Sequence, residues 1–313
     1  MPWLLSEIQM RDPFIVEPTP GEFVLFGTTD TNLWGGAATG FNCYTSTDLE
    51  KWQGPLEAFR PPTGFWADTQ FWAPEVHEYG GRFFMFATLA SSKTEKLYQR
   101  GTCVLVAETV TGPYLPWSEG PVTPHELPCL DGTLYVDENQ VPWIVYSRGA
   151  EGTPGQIDPL ADGEMYARKL TKDLRAPLGE PVLLFRSSAA AWSKPMRLPG
   201  GMKPPPELNL ADDPMFTDGA YMFKNASGQL EMLWSSFGAS GYAMGVATSK
   251  SGSVLGPWTQ NPDPVWPLNG GHGMLLRTSM GEDFLVFHWP NQSPDERAKL
   301  APVRITHSGL ELI

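Results

Sequence analysis

The stretch Arg11-Asp12-Pro13-Phe14-Ile15-Val16 places one carboxylate at the start of an apolar run that has the composition of a β-strand. The proline biases Asp12 towards an extended backbone and lacks a backbone donor, which suits the first residue of a strand. Asp-Pro is also a common turn opener, so the stretch by itself is compatible with Asp12 as a turn cap. The rest of the chain repeats the pattern, and this favours the strand.

Five segments of the chain can be laid under one another. Each has a polar or acidic start, an apolar strand, a turn that usually contains Gly, a strongly apolar strand and a more polar outer strand. The segments begin with RDPFIVEP (11–18), FWAPEVHE (71–78), LDGTLYVD (130–137), TDGAYMFK (217–224) and GGHGMLLR (270–277). Units of about 45 to 65 residues with four strands are typical of propeller blades. The sequence therefore predicts an all-β protein, one five-bladed β-propeller over residues 1–313 with four antiparallel strands per blade.

The composition supports a globular, turn-rich protein. Hydrophobic residues make up 41% and charged residues 18%, and the 32 Gly and 31 Pro indicate many turns and little helix. A formal net charge of -13 argues against nucleic acid or an anionic membrane as a partner, because repulsion opposes the encounter.

The three cysteines, Cys43, Cys103 and Cys129, cannot all pair within one chain, and none lies in a CxxC motif. We expect free, largely buried thiols in a reducing compartment. No secretory signal is visible, although a removed leader could not be seen, and no apolar run reaches the length of a membrane span. The predicted location is therefore cytoplasmic.

In a propeller the innermost strand of each blade lines the central channel, so the starts of these strands converge at one mouth. Here they carry Asp12, Phe71-Trp72 with Glu75 nearby, Asp131, Asp218 and His272. Three carboxylates and an imidazole at one mouth indicate a functional site. The alternative for Asp131 and Asp218 is turn chemistry, because both precede Gly.

These motifs, in this order and at this spacing, resemble glycoside hydrolase family 43 over essentially the whole chain. The matching pieces are Arg11-Asp12-Pro13, Phe71-Trp72-Ala73-Pro74-Glu75-Val76, Leu130-Asp131-Gly132, Thr217-Asp218-Gly219 and Gly270-Gly271-His272-Gly273. The resemblance implies a five-bladed propeller with Asp12 as general base, Asp131 as the carboxylate that tunes and orients the acid, and Asp218 as general acid.

The chain departs from the family pattern at the acid, because most members carry Glu where Asp218 stands. A subset shares the Thr-Asp-Gly form, which keeps Asp218 as the first choice. Glu75 and Glu207 are the alternatives for the proton donor. A chain that had lost its acid could also be a sugar-binding protein without activity.

Candidate substrate-binding residues surround this mouth. They are Trp34, Trp66, Phe71, Trp72, Glu75, His272 and Arg297, with Trp192 as a weaker candidate. Core packing is the alternative for each aromatic residue, since amphipathic aromatics are routinely buried. His288 is interpreted as a rim or packing residue.

His272, between two glycines, could approach the channel axis and hold a water or, through water, a Ca²⁺ or Na⁺ ion. A satisfied core histidine is the alternative, and a Ca²⁺ site would need more oxygen ligands than this segment offers. No cofactor is required by the expected chemistry.

The expected function is inverting, exo-acting hydrolysis of α-L-arabinofuranosides or of related β-xylosides or galactofuranosides in an oligosaccharide or polysaccharide. Inversion is expected because carboxylates on different blades leave room for a water between base and bond. Endo-acting arabinanase activity, an inactive carbohydrate-binding propeller and a scaffold for protein partners are the alternatives. The oligomeric state is not predicted.

Overall fold

The computed structural model describes residues 2–30, 33–93, 99–152, 155–197 and 209–313. In these ranges the chain forms five antiparallel sheets, and its helical content consists of two short 3-10 helices, Leu5–Glu7 and Ser187–Ala189. None of the described helices has the length and apolar character that crossing a bilayer requires. Glu207, an alternative for the general acid, lies outside the described residues.

Each sheet is one blade. Blade 1 contains β1 (Trp3–Leu4), β2 (Arg11–Thr19), β3 (Glu22–Thr28), β4 (Phe41–Ser46) and β5 (Lys51–Phe59). Blade 2 contains β6 (Thr69–Tyr79), β7 (Arg82–Ser91), β8 (Gln99–Ala107) and β9 (Leu115–Pro116). Blade 3 contains β10 (Cys129–Val136), β11 (Pro142–Arg148), β12 (Glu164–Leu170) and β13 (Pro177–Arg186).

Blade 4 contains β14 (Asp218–Lys224), β15 (Leu230–Gly238), β16 (Gly241–Ser249) and β17 (Trp258–Gln260). Blade 5 contains β18 (Gly271–Arg277), β19 (Asp283–Trp289), β20 (Arg297–Thr306) and β21 (Gly309–Leu312). The inner strands β2, β6, β10, β14 and β18 contact one another in a closed ring. The predicted five-bladed propeller is confirmed; blade 1 has a short fifth strand, β1, on its outer edge.

The blades are held together by apolar faces. The second strand of a blade is sandwiched between its neighbours, so its sequence is a continuous apolar run, as in Phe84-Met85-Phe86-Ala87 of β7. Removing these side chains from water supplies the main driving force for folding. The three cysteines are free and buried, as predicted, and burial raises the pKa of the Cys43 thiol to about 12. The cytoplasmic location stays a prediction.

The inner strand of every blade is bulged at the same place. Pairing with the second strand shifts register between Arg11 and Phe14, Trp72 and Glu75, Leu130 and Thr133, Asp218 and Tyr221, and Gly271 and Met274. One residue in each bulge has left-handed backbone: Asp12 (φ 51°), Ala73 (45°), Asp131 (54°), Gly219 (47°) and His272 (53°). Bulges re-aim side chains. Asp12, Asp131 and His272 therefore occupy equivalent positions in three blades.

A hydrogen bond to the preceding blade holds four of these five bulges. The backbone N–H of the left-handed residue donates to a side chain near the end of the preceding blade's second strand. The bonds are Ala73 N to Thr28 Oγ1 (2.8 Å), Asp131 N to Thr88 Oγ1 (2.8 Å), His272 N to Ser235 Oγ (2.9 Å) and Asp12 N to His288 Nδ1 (3.2 Å). We call these four bonds the inter-blade latch.

The bulge of blade 4 lacks this bond. Ser147 occupies the corresponding position on β11, but its Oγ lies 3.9 Å from the Met165 sulfur. The Gly219 N–H donates instead to Asp218 Oδ1 at 3.0 Å. The latch is thus interrupted where the general acid is predicted.

The latch predicts a difference between two equivalent serines. Ser235→Ala leaves the buried His272 N–H without its acceptor and should lower the free energy of unfolding by about 1–3 kcal/mol. Ser147→Ala removes a hydroxyl that receives no bulge amide and should cost less than about 1 kcal/mol. Urea denaturation of both variants measures the difference, and equal losses would contradict a stabilising role for the latch.

Candidate active site

Asp12 is buried at the channel mouth among hydrogen-bond donors. Thr28 Oγ1 donates to its Oδ2 at 2.7 Å, and His272 Nδ1 lies 3.2 Å from its Oδ1. Burial acts to raise the pKa of Asp12, but His272, His288 and Arg11 outweigh it and hold this pKa well below its ordinary value. Asp12 is therefore a carboxylate under all ordinary conditions, which a general base requires.

His288 supports Asp12 from behind. The imidazole is fully buried, and burial lowers its pKa, so it is neutral. Because its Nδ1 accepts the Asp12 N–H, the proton lies on Nε2 and faces Asn291 Oδ1 at 3.1 Å. The interpretation of His288 as a rim or packing residue is corrected: it accepts a hydrogen bond from the Asp12 backbone.

Asp131 and Asp218 form a pair of neighbouring carboxyl groups. Burial and the neighbouring Asp218 carboxylate raise the pKa of Asp131 well above its ordinary value, and oxygen atoms of the two side chains lie within 4.8 Å of each other. Thr88 Oγ1 also donates to Asp131 Oδ1 at 3.0 Å. Two carboxylates this close do not both ionise, so the pair keeps one proton to higher pH than an ordinary aspartate.

The two members of the pair differ in exposure. Asp131 is 5% exposed, whereas Asp218 at the start of β14 is only half-buried. A substrate can therefore reach Asp218 and not Asp131. The sequence predicts the proton on Asp218 and the charge on Asp131; the raised pKa of Asp131, caused by burial and by Asp218, means that the two carboxyl groups share a proton before substrate arrives.

Tyr242 positions Asp218, and no sequence signal pointed to it. Its hydroxyl donates to Asp218 Oδ2 at 2.5 Å, while its ring stacks on His288 with centroids 5.6 Å apart and 13° between the planes. Burial and the Asp218 charge raise the pKa of Tyr242 well above its ordinary value, so the phenol stays a donor. Tyr242 thereby contacts both Asp218 and His288, the residue that holds the Asp12 backbone.

His272 lies between Asp12 and Asp131. Its Nδ1 faces Asp12 Oδ1 at 3.2 Å and Asp131 Oδ2 at 3.6 Å. Its Nε2 is buried and has no hydrogen-bond partner among the described residues. Donor atoms of Asp131, Asp218 and His272 lie within 4.8 Å of one another. The orphaned Nε2 fits a water molecule; two carboxyl groups sharing a proton are a poor ligand set for Ca²⁺, which takes six to eight oxygens.

Glu75 lies deeper in the channel than the bulge residues. It follows the bulge of β6, is buried, and faces His77 Nε2 at 3.3 Å. The position in blade 2 that corresponds to Asp12 is held by Ala73, which has no polar side chain. This placement makes Glu75 a weaker alternative to Asp218 as proton donor.

Trp34 and Trp72 form an aromatic wall beside the mouth. Their rings make an edge contact with centroids 5.8 Å apart, and Trp34 is 64% exposed. The Arg11 guanidinium lies 5.3 Å from the Trp34 ring and pairs with Glu296 at 2.7 Å. Both tryptophans were predicted to bind substrate, and the structure brings them together next to Arg11.

Three other predicted contacts are placed elsewhere. Phe71 is 1% exposed and packs against Phe41 and Phe59, so its predicted sugar contact is corrected to core packing. Trp192 is likewise buried, against Trp234. Trp66 packs against Phe65 and the core of blades 1 and 2, and no contact places it at the carboxyl groups.

Arg297 also requires a correction. Its guanidinium donates to the backbone carbonyls of Ser6, Pro294 and Glu296, which fastens the N-terminal segment to blade 5. The arginine at the site is Arg11, and it reaches blade 5 through the side chain of Glu296, the residue before Arg297.

A low-pKa carboxylate facing a proton-sharing carboxyl pair, at the mouth of a five-bladed propeller and beside an aromatic wall, defines a glycosidase-type acid–base site. The chain belongs to the glycosyl hydrolases family 43, whose model matches residues 5–309, and the protein is an O-glycosyl hydrolase. Enzymes of this family generally need no cofactor.

Solved structures agree with this assignment. The endo-arabinase from Bacteroides thetaiotaomicron VPI-5482 is 33% identical, with a TM-score of 0.81 and 97% of both chains covered. An endo-1,4-beta-xylanase from the same bacterium is 20% identical (TM-score 0.73, covering 100% of this chain and 97% of that one). The alpha-L-arabinofuranosidase from Lactobacillus brevis is 18% identical (TM-score 0.69, covering 97% and 93%). The last two share the fold. No curated protein matches the chain.

The proton-sharing pair predicts a pH effect. The alkaline limb of the activity profile reports loss of the pair's proton, so it should lie above the ordinary aspartate pKa of about 4. Asp131→Asn removes the like charge and should move this limb to lower pH by at least about one unit, with reduced activity. Rates measured from pH 4 to 9 test this, and an unshifted limb would contradict coupling between Asp131 and Asp218.

The Tyr242 hydroxyl predicts a second effect. Tyr242→Phe keeps the ring on His288 but loses the donor to Asp218, so kcat should fall about tenfold on substrates with poor leaving groups and less on activated aryl glycosides. Tyr221→Phe is the matched control, since that hydroxyl donates to the Leu275 carbonyl in the channel. Equal losses on both kinds of substrate, or in both variants, would argue for a purely structural role.

Proposed function

We propose that this protein hydrolyses α-L-arabinofuranosidic bonds of arabinan with inversion at the anomeric carbon. The observation that carries the proposal is the arrangement of three carboxyl groups at one mouth: His272 Nδ1 faces both Asp12 and Asp131, and Asp218 lies beside Asp131. The lowered pKa of Asp12 and the raised pKa of Asp131 agree with a base and a proton-holding pair. The choice of sugar rests on the 33% identity, over 97% of both chains, with a structure described as an endo-arabinase.

Asp12 acts as the general base. Its Oδ2 is engaged by Thr28 and its Oδ1 faces His272, so the carboxylate is fixed before substrate arrives. Asp12 removes a proton from a water as that water attacks the anomeric carbon. This attack from the face opposite the leaving group inverts the configuration.

Asp218 delivers a proton to the leaving oxygen. As negative charge develops on that oxygen, the proton that Asp131 and Asp218 share is transferred by Asp218 to the leaving group. The pair is then without its proton and Asp12 carries one, and proton transfer through solvent from Asp12 to the pair restores the resting state. Asp131 therefore raises the proton affinity of the pair, and Tyr242 keeps Asp218 aimed at the bond.

His272 Nε2 is buried and has no hydrogen-bond partner in the described part of the chain. We propose that an ordered water binds Nε2 and holds the imidazole so that Nδ1 faces Asp12. A Ca²⁺ or Na⁺ ion reached through such a water is a prediction that the chemistry above does not use.

Two observations bear on where the polymer is cut. The similarity to an endo-arabinase favours cleavage within the chain, together with the exposed Trp34 at an open side of the mouth. The second candidate is exo action, which the sequence predicted; it is favoured by the recessed position of Asp12, 9% exposed, and Asp131. An inactive binding protein is disfavoured by the complete set of carboxyl groups.

The function is tested on arabinan, arabino-oligosaccharides, xylan and the aryl α-L-arabinofuranoside and β-xyloside. We expect turnover on the arabinose substrates, an NMR signal of the inverted anomer as first product, and oligosaccharides rather than arabinose as early products of arabinan. Asp12→Asn should lose about 10²–10⁴-fold or more in activity on all of them.

Asp218→Asn separates the acid from the base. It should lose about 10²–10⁴-fold on arabinan but much less on an aryl glycoside whose leaving group needs little protonation. Equal losses would contradict the acid assignment. Folded protein that is silent on every arabinose substrate, or a retained anomer, would overturn the proposed function.

A further inference from the structure

A cavity opens on the same face of the propeller as the active site, between blades 4 and 5. It has a volume of about 460 Å³, and its lining includes Ser240, Trp266, Leu268, Asn269, Trp289 and Lys299. We call it the rim pocket. Ser240 lies in the hairpin between β15 and β16, and Trp289 ends β19, so both are at the end of the strands where β14 and β18 begin beside the carboxyl groups.

Two indole rings and one ammonium group shape the rim pocket. Trp289 is 45% exposed, and its ring is fixed by a hydrogen bond from its Nε1 to the Leu268 carbonyl at 2.9 Å. Lys299 Nζ lies 5.4 Å from the Trp289 ring centre and 5.6 Å from that of Trp266. Lys299 has no carboxylate partner in the described part of the chain, so its donors are available to a ligand.

Gly270 allows this arrangement. A Cβ atom at Gly270 would lie 3.0 Å from Trp266 Nε1, 3.0 Å from Trp289 Cδ1 and 2.9 Å from the His288 carbonyl. Any side chain there would push the indoles apart. The first glycine of Gly270-Gly271-His272 therefore serves the rim pocket, whereas His272 serves the active site.

The rim pocket is also joined to the catalytic residues. Asn269 accepts the Tyr242 N–H through Oδ1 at 3.3 Å, and its carbonyl accepts the Asn291 N–H at 2.7 Å. Trp289 directly follows His288, the residue that holds the Asp12 backbone. The rim pocket and the Trp34–Trp72 wall of blades 1 and 2 thus flank the carboxyl groups from different sides.

We propose that the rim pocket is a binding site for a neutral sugar residue of the polysaccharide other than the two residues joined by the bond that is cut. Exposed indole faces pack against the C–H faces of a sugar ring, while an ammonium and an amide donate to its hydroxyl groups. The cavity is within the range that accommodates a small ligand, and its few polar groups suit orientation rather than charge recognition. This inference rests on the proposed function, because it takes the polymer as substrate.

The test compares long and short substrates. Trp289→Ala should lower the ratio of kcat/KM on arabinan to kcat/KM on the aryl arabinofuranoside about five- to tenfold, through a higher KM for the polymer. Lys299→Met should act in the same direction by about two- to fivefold. Trp3→Ala is the matched control, since Trp3 is similarly exposed, at 42%, but lies on the outer edge of blade 1.

Binding without turnover is measured separately, by affinity electrophoresis in gels containing arabinan or xylan, with Asp12→Asn and the double variant Asp12→Asn/Trp289→Ala. Weaker retardation of the double variant in a polysaccharide gel supports the site, whichever glycan is hydrolysed. Unchanged retardation together with an unchanged polymer-to-aryl ratio overturns it. If retardation depends on Trp289 while the wild-type protein cleaves no arabinose substrate, the proposed function is refuted and the rim pocket is retained as a sugar-binding site.

Discussion

The site depends on one backbone feature, the left-handed bulge at the start of each inner strand. A non-glycine residue with positive φ is held only where the surrounding structure over-determines it, and such strain costs about 1–3 kcal/mol per residue. Here the neighbouring blade supplies the restraint, through the amide bonds to Thr28, Thr88, Ser235 and His288. The side chains of Asp12, Asp131 and His272 converge because each sits on a bulge that another blade holds in place.

The same bonds combine structure and chemistry. Thr28 accepts the Ala73 amide and donates its hydroxyl proton to Asp12; Thr88 accepts the Asp131 amide and donates to the carboxylate of that same residue. A hydroxyl group can do both, because it has one proton and two lone pairs. A shift between blades 1 and 2 would therefore disturb the hydrogen bond from Thr28 to Asp12, the proposed base. The contacts that hold the blades together thus also fix the positions of Asp12 and Asp131.

The fold could be predicted from the sequence, and so could the equivalent positions of Asp12, Asp131 and His272, because the repeat aligns these three residues. It failed in blade 2, where Phe71 was aligned with the acids although the bulge residue is Ala73. A shift of two residues cannot be detected from apolar periodicity, which has a period of two in a strand. The contribution of Tyr242 could not be foreseen, since a stacked tyrosine and a core tyrosine look alike in sequence. The second strand of each blade has a hydroxyl or imidazole side chain near its end. This regularity is visible in the repeat, but the sequence analysis missed it.

The packing of blade 4 explains why Asp218, the proposed acid, stands one position earlier in its bulge than Asp12, Asp131 and His272 do in theirs. At its bulge stands Gly219, where a Cβ would approach the His272 ring to 2.9–3.0 Å, so no side chain fits. Asp218 precedes it and uses Oδ1 to accept the Gly219 N–H that lacks an inter-blade partner, while Oδ2 accepts from Tyr242. Short aspartate side chains bond readily to nearby backbone amides, and a glutamate carboxylate lies one methylene too far out for that geometry. Asp218 thus supplies from its own blade the acceptor that the inter-blade latch lacks there, so the orientation of the proposed acid depends on Gly219 and on the packing of His272 against it.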